Sequence, residues 1–330
     1  MTGIALAHPN IALVKYWGKR EAGANVPATG SLSITLDALT TRTRVEFDDA
    51  LKHDELLLDG EPDTAALARV GACLDSLRAL AGDHRRARVE TRNDFPTAAG
   101  LASSASGFAA LVIAASAALG LELDRRALSK LARRASGSAA RSLYGGFVVL
   151  HAGRKDDDDP PAQPLLDAEA WPLGVVVAIT RRARKQTGSR AGMESSRRTS
   201  PFYEAWLRDA DRDLAVAQAA VLARDFAQLA EISEHNCLKM HAVMLSSRPP
   251  LAYWNGTTLE CMRRVRELRE REGLRVFFTI DAGPQVKAIC MPQDTTRVAE
   301  ALAAVAGVES VLESRIGEGA RLLRTEQETA

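Results

Sequence analysis

The chain has 330 residues, of which 46% are hydrophobic and 26% charged, and its formal net charge is +1. That length accommodates two domains or one large one around a sizeable core. The near-neutral balance argues against a general nucleic-acid binder, no apolar run is long enough to span a membrane (the longest, residues 108–121, stops short), and the N-terminus lacks the basic-then-apolar pattern of a secretory signal.

In chain order, residues 4–6 and 11–14 are short apolar runs, and residues 31–39 alternate Leu32, Ile34 and Leu36 against Ser and Thr as a strand does. Residues 42–47 and 55–58 read as further strands, followed by an Asp59-Gly60 turn, a helix over about 64–81 and a strand over 88–91. The pattern then predicts a helix ending near Gly120 and a second over 124–136, with Asp124 as N-cap and Leu128 and Leu131 on its apolar face. Residues 147–150 are a buried strand. Residues 155–164, with four consecutive aspartates and three prolines, read as a solvated surface loop and the best domain boundary. Beyond it the expected elements are a strand at 173–179, helices at 202–222, 225–244 and 259–272, strands at 276–280 and 287–291, and a helix at 295–305. Strands and helices interleave in both halves, which predicts an α+β protein. Cys73, Cys237, Cys261 and Cys290 are scattered without a CxxC pair, which fits free thiols in a reducing cytoplasm. His235 and Cys237 do not amount to a metal site and read as structural residues on a helix.

Five segments carry chemistry-bearing residues. Lys15-Tyr16-Trp17-Gly18-Lys19-Arg20 gathers three cations and two aromatics. Strand parity would put Lys15, Trp17 and Lys19 on one face and Tyr16 and Gly18 on the other, as far as any bend at Gly18. A cationic cluster beside apolar strands suits a phosphorylated or carboxylated small molecule, and it also suits a solvated strand end. In Phe95-Pro96-Thr97-Ala98-Ala99-Gly100-Leu101-Ala102-Ser103-Ser104, small residues permit close approach of the backbone, and the serines open a helix whose free N–H groups favour an anion. This is neither a Walker nor a dinucleotide pattern, and an Ala-rich helix with an ordinary Ser cap fits the segment equally well. Ser136-Gly137-Ser138-Ala139-Ala140-Arg141-Ser142 combines small hydroxyl residues with one guanidinium, which matches a carboxylate as a fork. Residues 181–199, with Arg184, Lys185, Ser189, Arg190 and Gly192, lack apolar periodicity and read as a loop, either a lid over a charged substrate or plain surface. Asp281 ends the apolar run Phe277-Phe278-Thr279-Ile280, where a carboxylate is costly without a cationic partner.

Taken together, NIALVKYWGKR, DFPTAAGLASSASGFAAL, SGSAARSLYGG and FFTIDAGP resemble the diphosphomevalonate decarboxylase family. That family lies within the superfamily of galactokinase, homoserine kinase, mevalonate kinase and phosphomevalonate kinase. The Ser/Gly loop alone indicates only the superfamily, whereas KYWGKR and IDAGP are specific to the decarboxylase branch. The resemblance implies a two-domain fold of the superfamily, a β-α-β N-terminal domain (residues 1–165) and a ferredoxin-like C-terminal domain (172–330), with the active site in the cleft between them. It implies ATP-dependent decarboxylation of mevalonate 5-diphosphate to isopentenyl diphosphate, CO2, ADP and phosphate, with Mg2+ accompanying ATP, in a cytoplasmic homodimer.

By position, the resemblance implies that residues Phe95 to Ser104 wrap the ATP phosphates. Asp281 contacts the tertiary hydroxyl beside Lys15, whose charge depresses the Asp281 pKa and weakens it as a base. Arg141, helped by Ser136 and Ser138, takes the substrate carboxylate. Tyr16, Lys19, Ser189 and Arg190 hold the diphosphate. Gly30 stands where relatives often have Ser, and Ala140 where animal and fungal members carry Cys. The rival readings are a kinase or a monophosphate-specific decarboxylase of the same superfamily and a catalytically silent nucleotide-binding protein.

Overall fold

Alternating apolar residues build three main sheets, and helices and sheet faces cover them so that the faces meet at a cleft. The computed structural model describes residues 2–21, 25–94, 103–153, 159–181 and 186–323. The first half contains β1 (Thr2–Ala7), β2 (Asn10–Val14), β3 (Lys19–Glu21), β4 (Val26–Pro27), β5 (Ser31–Thr35), β6 (Thr41–Asp48), β7 (Glu55–Leu58) and β8 (Glu61–Pro62). It continues with α1 (Thr64–Ala81), β9 (Arg86–Asn93), α2 (Ser103–Ala118), α3 (Arg125–Ala135), α4 (Ala139–Ser142), β10 (Phe147–Leu150) and β11 (Ala162–Leu166). The second half runs β12 (Gly174–Ile179), α5 (Ser189–Thr199), α6 (Tyr203–Ala223), α7 (Phe226–Leu245), α8 (Gly256–Glu272), β13 (Val276–Ile280), β14 (Val286–Cys290), α9 (Thr295–Ala303), β15 (Ser310–Arg315) and β16 (Arg321–Leu322).

The first sheet has the order β16-β1-β6-β9-β7-β8, and its Ala5, Ala7, Val45, Phe47 and Val89 pack under α1, α2 and α3. The second, β11-β10-β5-β2, shares a core with one face of the third, β13-β14-β12-β15, and with α6 and α7. The other face of the third sheet, with Val176, Phe278 and Ala288, is covered by α8 and α9. That strand order, all antiparallel, is the β-α-β-β-α-β arrangement expected of a ferredoxin-like unit. Asp124 caps α3 as its spacing predicts, accepting from the Ala127 N–H at 2.7 Å.

Several elements differ from the sequence expectations. The strand expected over 31–39 stops at Thr35, because Leu36 leaves it to form a bridge with Ile316. Residues 189–199, expected as loop, form helix α5; its buried Gly192, Met193 and Ser196 are too few and too small to give an apolar period. The surface-loop expectation for 155–164 also yields at its end. There Asp159 pairs with Lys130, Arg133 and Arg134, and Ala162–Leu166 adds to β10. Strands β15 and β16 have no counterpart among the expected elements. The last of them pairs with β1, which returns the chain to the first sheet. Among the described residues, no helix is long and apolar enough to cross a membrane.

Candidate active site

The N-terminal cations reach the cleft because strand β2 ends just before them. Ile11 and Leu13 point into the shared core, whereas Asn10 and Ala12 line the cleft. A bulge between Ala12 and Val14 and a positive φ of 122° at Gly18 then break the two-residue period. The parity expected for residues 15–19 therefore fails: Lys15, Tyr16 and Lys19 all line the cleft. Trp17 is also at the wall, but its indole sinks into an apolar cluster with Met193, Tyr203 and Trp206. Only glycine fits position 18, since a Cβ there would lie 2.2 Å from the Tyr203 Oη.

The cleft holds about 560 Å³. It brings together every proposed site residue whose side chain is described: Lys15, Tyr16, Lys19, Ser104, Ser136, Ser138, Arg141, Ser189, Arg190 and Asp281. Residues Phe95 to Ala102 of the expected phosphate loop lie outside the described residues, as does Lys185. Ser103 is the first residue of α2, so the expected helix start is where the serines predict it.

Asp281 follows β13 directly and is 28% exposed. Its Oδ1 accepts from the Lys15 Nζ at 2.7 Å, and the Lys287 Nζ stands 3.3 Å from its Oδ2. Burial alone would raise the Asp281 pKa. The charges of Lys15 and Lys287, with their hydrogen bonds, outweigh that and hold the carboxyl well below the usual range. Lys15 is held firmly. Its Nζ also donates to the Ala12 carbonyl at 2.9 Å, and its backbone N–H donates to the Asn236 Oδ1 at 2.8 Å. Behind it, Asn236 donates to the Asp213 Oδ2 at 2.7 Å, and Lys239 closes the chain on that same oxygen at 2.8 Å.

Arg141 is 2% exposed on α4. Its Nε and Nη2 donate to the Asn10 Oδ1 at 3.2 and 3.1 Å, Nε also to the Ser33 Oγ at 3.1 Å, and Nη1 to the Ser31 Oγ at 2.8 Å. Alternation in β5 explains the arrangement: Leu32 and Ile34 enter the core, and the two serines face the guanidinium. All these partners are neutral. Burial pulls the Arg141 pKa down to about 10, against the pull of Asp281 and Tyr16, so it remains a cation at neutral pH. A buried guanidinium in a neutral cage is a receptor for an anion.

Ser136 ends α3 and Ser138 precedes α4, with Gly137 between them. The Tyr16 ring lies against Gly137, where a Cβ would come within 2.4 Å of the Tyr16 Oη. That hydroxyl is buried and has no hydrogen-bond partner among the described residues. Burial pushes its pKa up to about 12, so it remains a neutral donor. On the adjacent wall, Lys19 is brought down to about 8 by burial first and then by Arg190 and Arg69. Lys19, Arg69 and Arg190 together make this wall suited to a polyanion. The N-terminus of α5 opens there, with Gly188 as cap and no acidic residue in its first turn.

Sequence reasoning missed three residues. Asn10 opens one of the resembling segments but carries no signal of its own. Arg69 sits on helix α1 with no motif around it. Lys287 carried a legible signal, a single charge inside the apolar strand VKAIC. Among the described residues, no group of three or more His, Cys, Asp or Glu could hold a metal ion.

Comparisons with known proteins agree over most of the chain. Residues 7–160 match the diphosphomevalonate decarboxylase-like N-terminal domain, and residues 175–329 match the mevalonate 5-diphosphate decarboxylase C-terminal domain. The chain is 38% identical over 321 residues to the diphosphomevalonate decarboxylase of Eremothecium gossypii, covering 90% of this chain and 80% of that protein. It is 37% identical over 320 residues to the human diphosphomevalonate decarboxylase, covering 90% and 78%. Among solved structures, it is similar to MDDEF in complex with MVAPP, AMPPCP and magnesium, with TM-score 0.91, 39% identity and coverage of 98% and 99%. The mevalonate diphosphate decarboxylase from Staphylococcus aureus gives TM-score 0.91 and 39% identity, with 98% of each chain covered. With both halves matched and relatives this close over most of their length, the chain belongs to the diphosphomevalonate decarboxylase family.

Proposed function

We propose that the chain catalyses the ATP-dependent decarboxylation of mevalonate 5-diphosphate to isopentenyl diphosphate, CO2, ADP and phosphate. One observation carries this reading beyond family membership. Five cations, Lys15, Lys19, Arg69, Arg141 and Arg190, line the cleft, and among its described lining residues they face a single carboxylate, Asp281. Such a site suits a substrate with an anion at each end and a nucleotide beside it.

Arg141 takes the substrate carboxylate, with Ser136 and Ser138 beside it. Tyr16, Lys19, Ser189 and Arg190, joined by Arg69, hold the diphosphate, and Asp281 orients the tertiary hydroxyl. Residues 95–104 cradle the ATP phosphates at the start of α2. Transfer of the γ-phosphoryl group to the hydroxyl oxygen, with loss of its proton, turns a poor leaving group into a good one. The carbon–oxygen bond then breaks with its electron pair leaving on phosphate. The carbon–carbon bond to the carboxylate breaks next, and its pair forms the alkene as CO2 departs. The chain's own part is to position, to screen negative charge and to exclude water. Asp281, held ionised between two ammonium groups, orients the hydroxyl, and a loose phosphoryl-transfer transition state needs little early deprotonation. Magnesium, when bound, neutralises phosphate charge.

The diphosphate-binding set makes the tail a specificity element. Turnover of mevalonate 5-phosphate and of the diphosphate, each followed by product identification, tests this. The diphosphate is expected to be favoured about a hundredfold or more in kcat/KM, and preference for the monophosphate would refute the assignment. The lowered Lys19 pKa adds a pH effect. Lys19 loses its proton as pH rises through about 8, so KM for the diphosphate is expected to climb above that pH while KM for ATP stays level. Lys19→Arg, permanently charged, should flatten the climb. A flat wild-type profile contradicts the role of Lys19. The same reading includes a homodimer in a reducing cytoplasm, and four free, buried cysteines support the compartment.

A further inference from the structure

Lys287 is the only charged residue of β14, an interior strand buried along its whole length. Across the sheet it faces Val177 on β12 and Thr279 on β13, and its side chain is 1% exposed. An ammonium in such a place is costly unless an anion compensates it. The anion is Asp281, at 3.3 Å from the Oδ2, while Lys15 holds the Oδ1 at 2.7 Å from the opposite wall. One ammonium would neutralise this carboxylate. The second stands against the other oxygen, so the carboxylate is held at both ends and its plane is fixed. The register is tied across the cleft as well, because the Thr279 hydroxyl donates to the Ala12 carbonyl at 3.2 Å, the same oxygen that anchors the Lys15 Nζ.

We propose that Lys287 is a positioning residue for phosphoryl transfer: it fixes the Asp281 carboxylate in rotation by standing against the Oδ2 while Lys15 holds the Oδ1. This rests on the decarboxylase reading above. The other groups facing Asp281 do not replace it. Arg141 on α4 is held by its neutral cage, and on α7 Cys237 and His241 lie against the Ile280 carbonyl at 3.4 and 3.3 Å. Burial pushes the Cys237 thiol up and brings His241 down to about 3, so both are uncharged at neutral pH.

The test compares Lys287→Met and Lys287→Arg with wild type in the full-length protein. It measures CO2 release and KM for both substrates. Lys287→Met is expected to lower kcat about thirtyfold or more with each KM within about threefold, since position and charge at the reacting centre are lost and binding is not. Lys287→Arg should restore most of kcat. Wild-type kcat in Lys287→Met overturns the proposal, and so does a lowered kcat that comes with an equal loss of affinity for either substrate or without rescue by arginine. Wild-type protein that forms ADP without CO2 overturns the decarboxylase reading instead, so the two failures are told apart.

Discussion

Asp281→Asn is expected to lower kcat on the order of a thousandfold, the scale of a removed acid–base or charge-stabilising group, while affinity for ATP changes little. The amide is nearly isosteric, but it cannot balance two ammonium groups that are each 1% exposed. The Lys15 contact that fixes the carboxylate is lost as an ion pair, and the hydroxyl is no longer held by a charge in a defined plane. The same substitution should destabilise the fold by about 3 kcal/mol, the range for leaving buried charge unpaired. That deficit should shrink as pH rises. Burial lowers the Lys287 pKa in the fold, and loss of Asp281 lowers it further, so the unfolded chain binds more protons there and stability grows with pH. Steady-state turnover, ATP titration and thermal unfolding at two pH values check these points. Near-wild-type kcat in the Asp281→Asn variant would remove the central role of the residue.

Arg141→Gln should cost about a hundredfold to a thousandfold in kcat/KM for mevalonate 5-diphosphate, the loss of two charge-assisted hydrogen bonds. KM for ATP should hardly move. Stability is expected to behave in the opposite way from activity. In the free protein the guanidinium is buried among Asn10, Ser31 and Ser33, all neutral, and burial has already drawn its pKa down to about 10. The cost of burying this charge outweighs its attraction to Asp281, so the melting temperature should equal or exceed that of wild type. A variant that loses stability and activity in parallel would assign Arg141 to the architecture rather than to the substrate.

The two charged residues treated above were both legible in the sequence, for one reason: a polar group in an apolar setting demands a partner. Asp281 at the end of FFTI and Arg141 among small hydroxyl residues announce themselves that way. Lys287 obeys the same rule inside VKAIC, where the single charge is the exception to an apolar run. Arg69 was not legible, since a basic residue on a half-buried helix is ordinary and only the packing of α1 beside the cleft gives it meaning. The long helices α6 and α7 and strand β13 followed from length and periodicity alone. Helix α5 did not, because Gly192 and Ser196 bury without supplying apolar signal. Parity failed at residues 15–19 for a local reason, a bulge and one glycine conformation that no two-residue pattern encodes. Pairing of β16 with β1 joins the two ends of the described chain, and a two-residue strand has no period to read.

The central claim is that phosphorylation and decarboxylation occur at one centre, organised by Lys15, Asp281, Lys287 and Arg141. Its most direct measurement supplies ATP, magnesium and mevalonate 5-diphosphate labelled at the carboxyl carbon, and follows ADP, phosphate and labelled CO2 together. Equal amounts of all three, formed at one rate, are the predicted result. ADP formed without labelled CO2 would contradict it and leave a kinase.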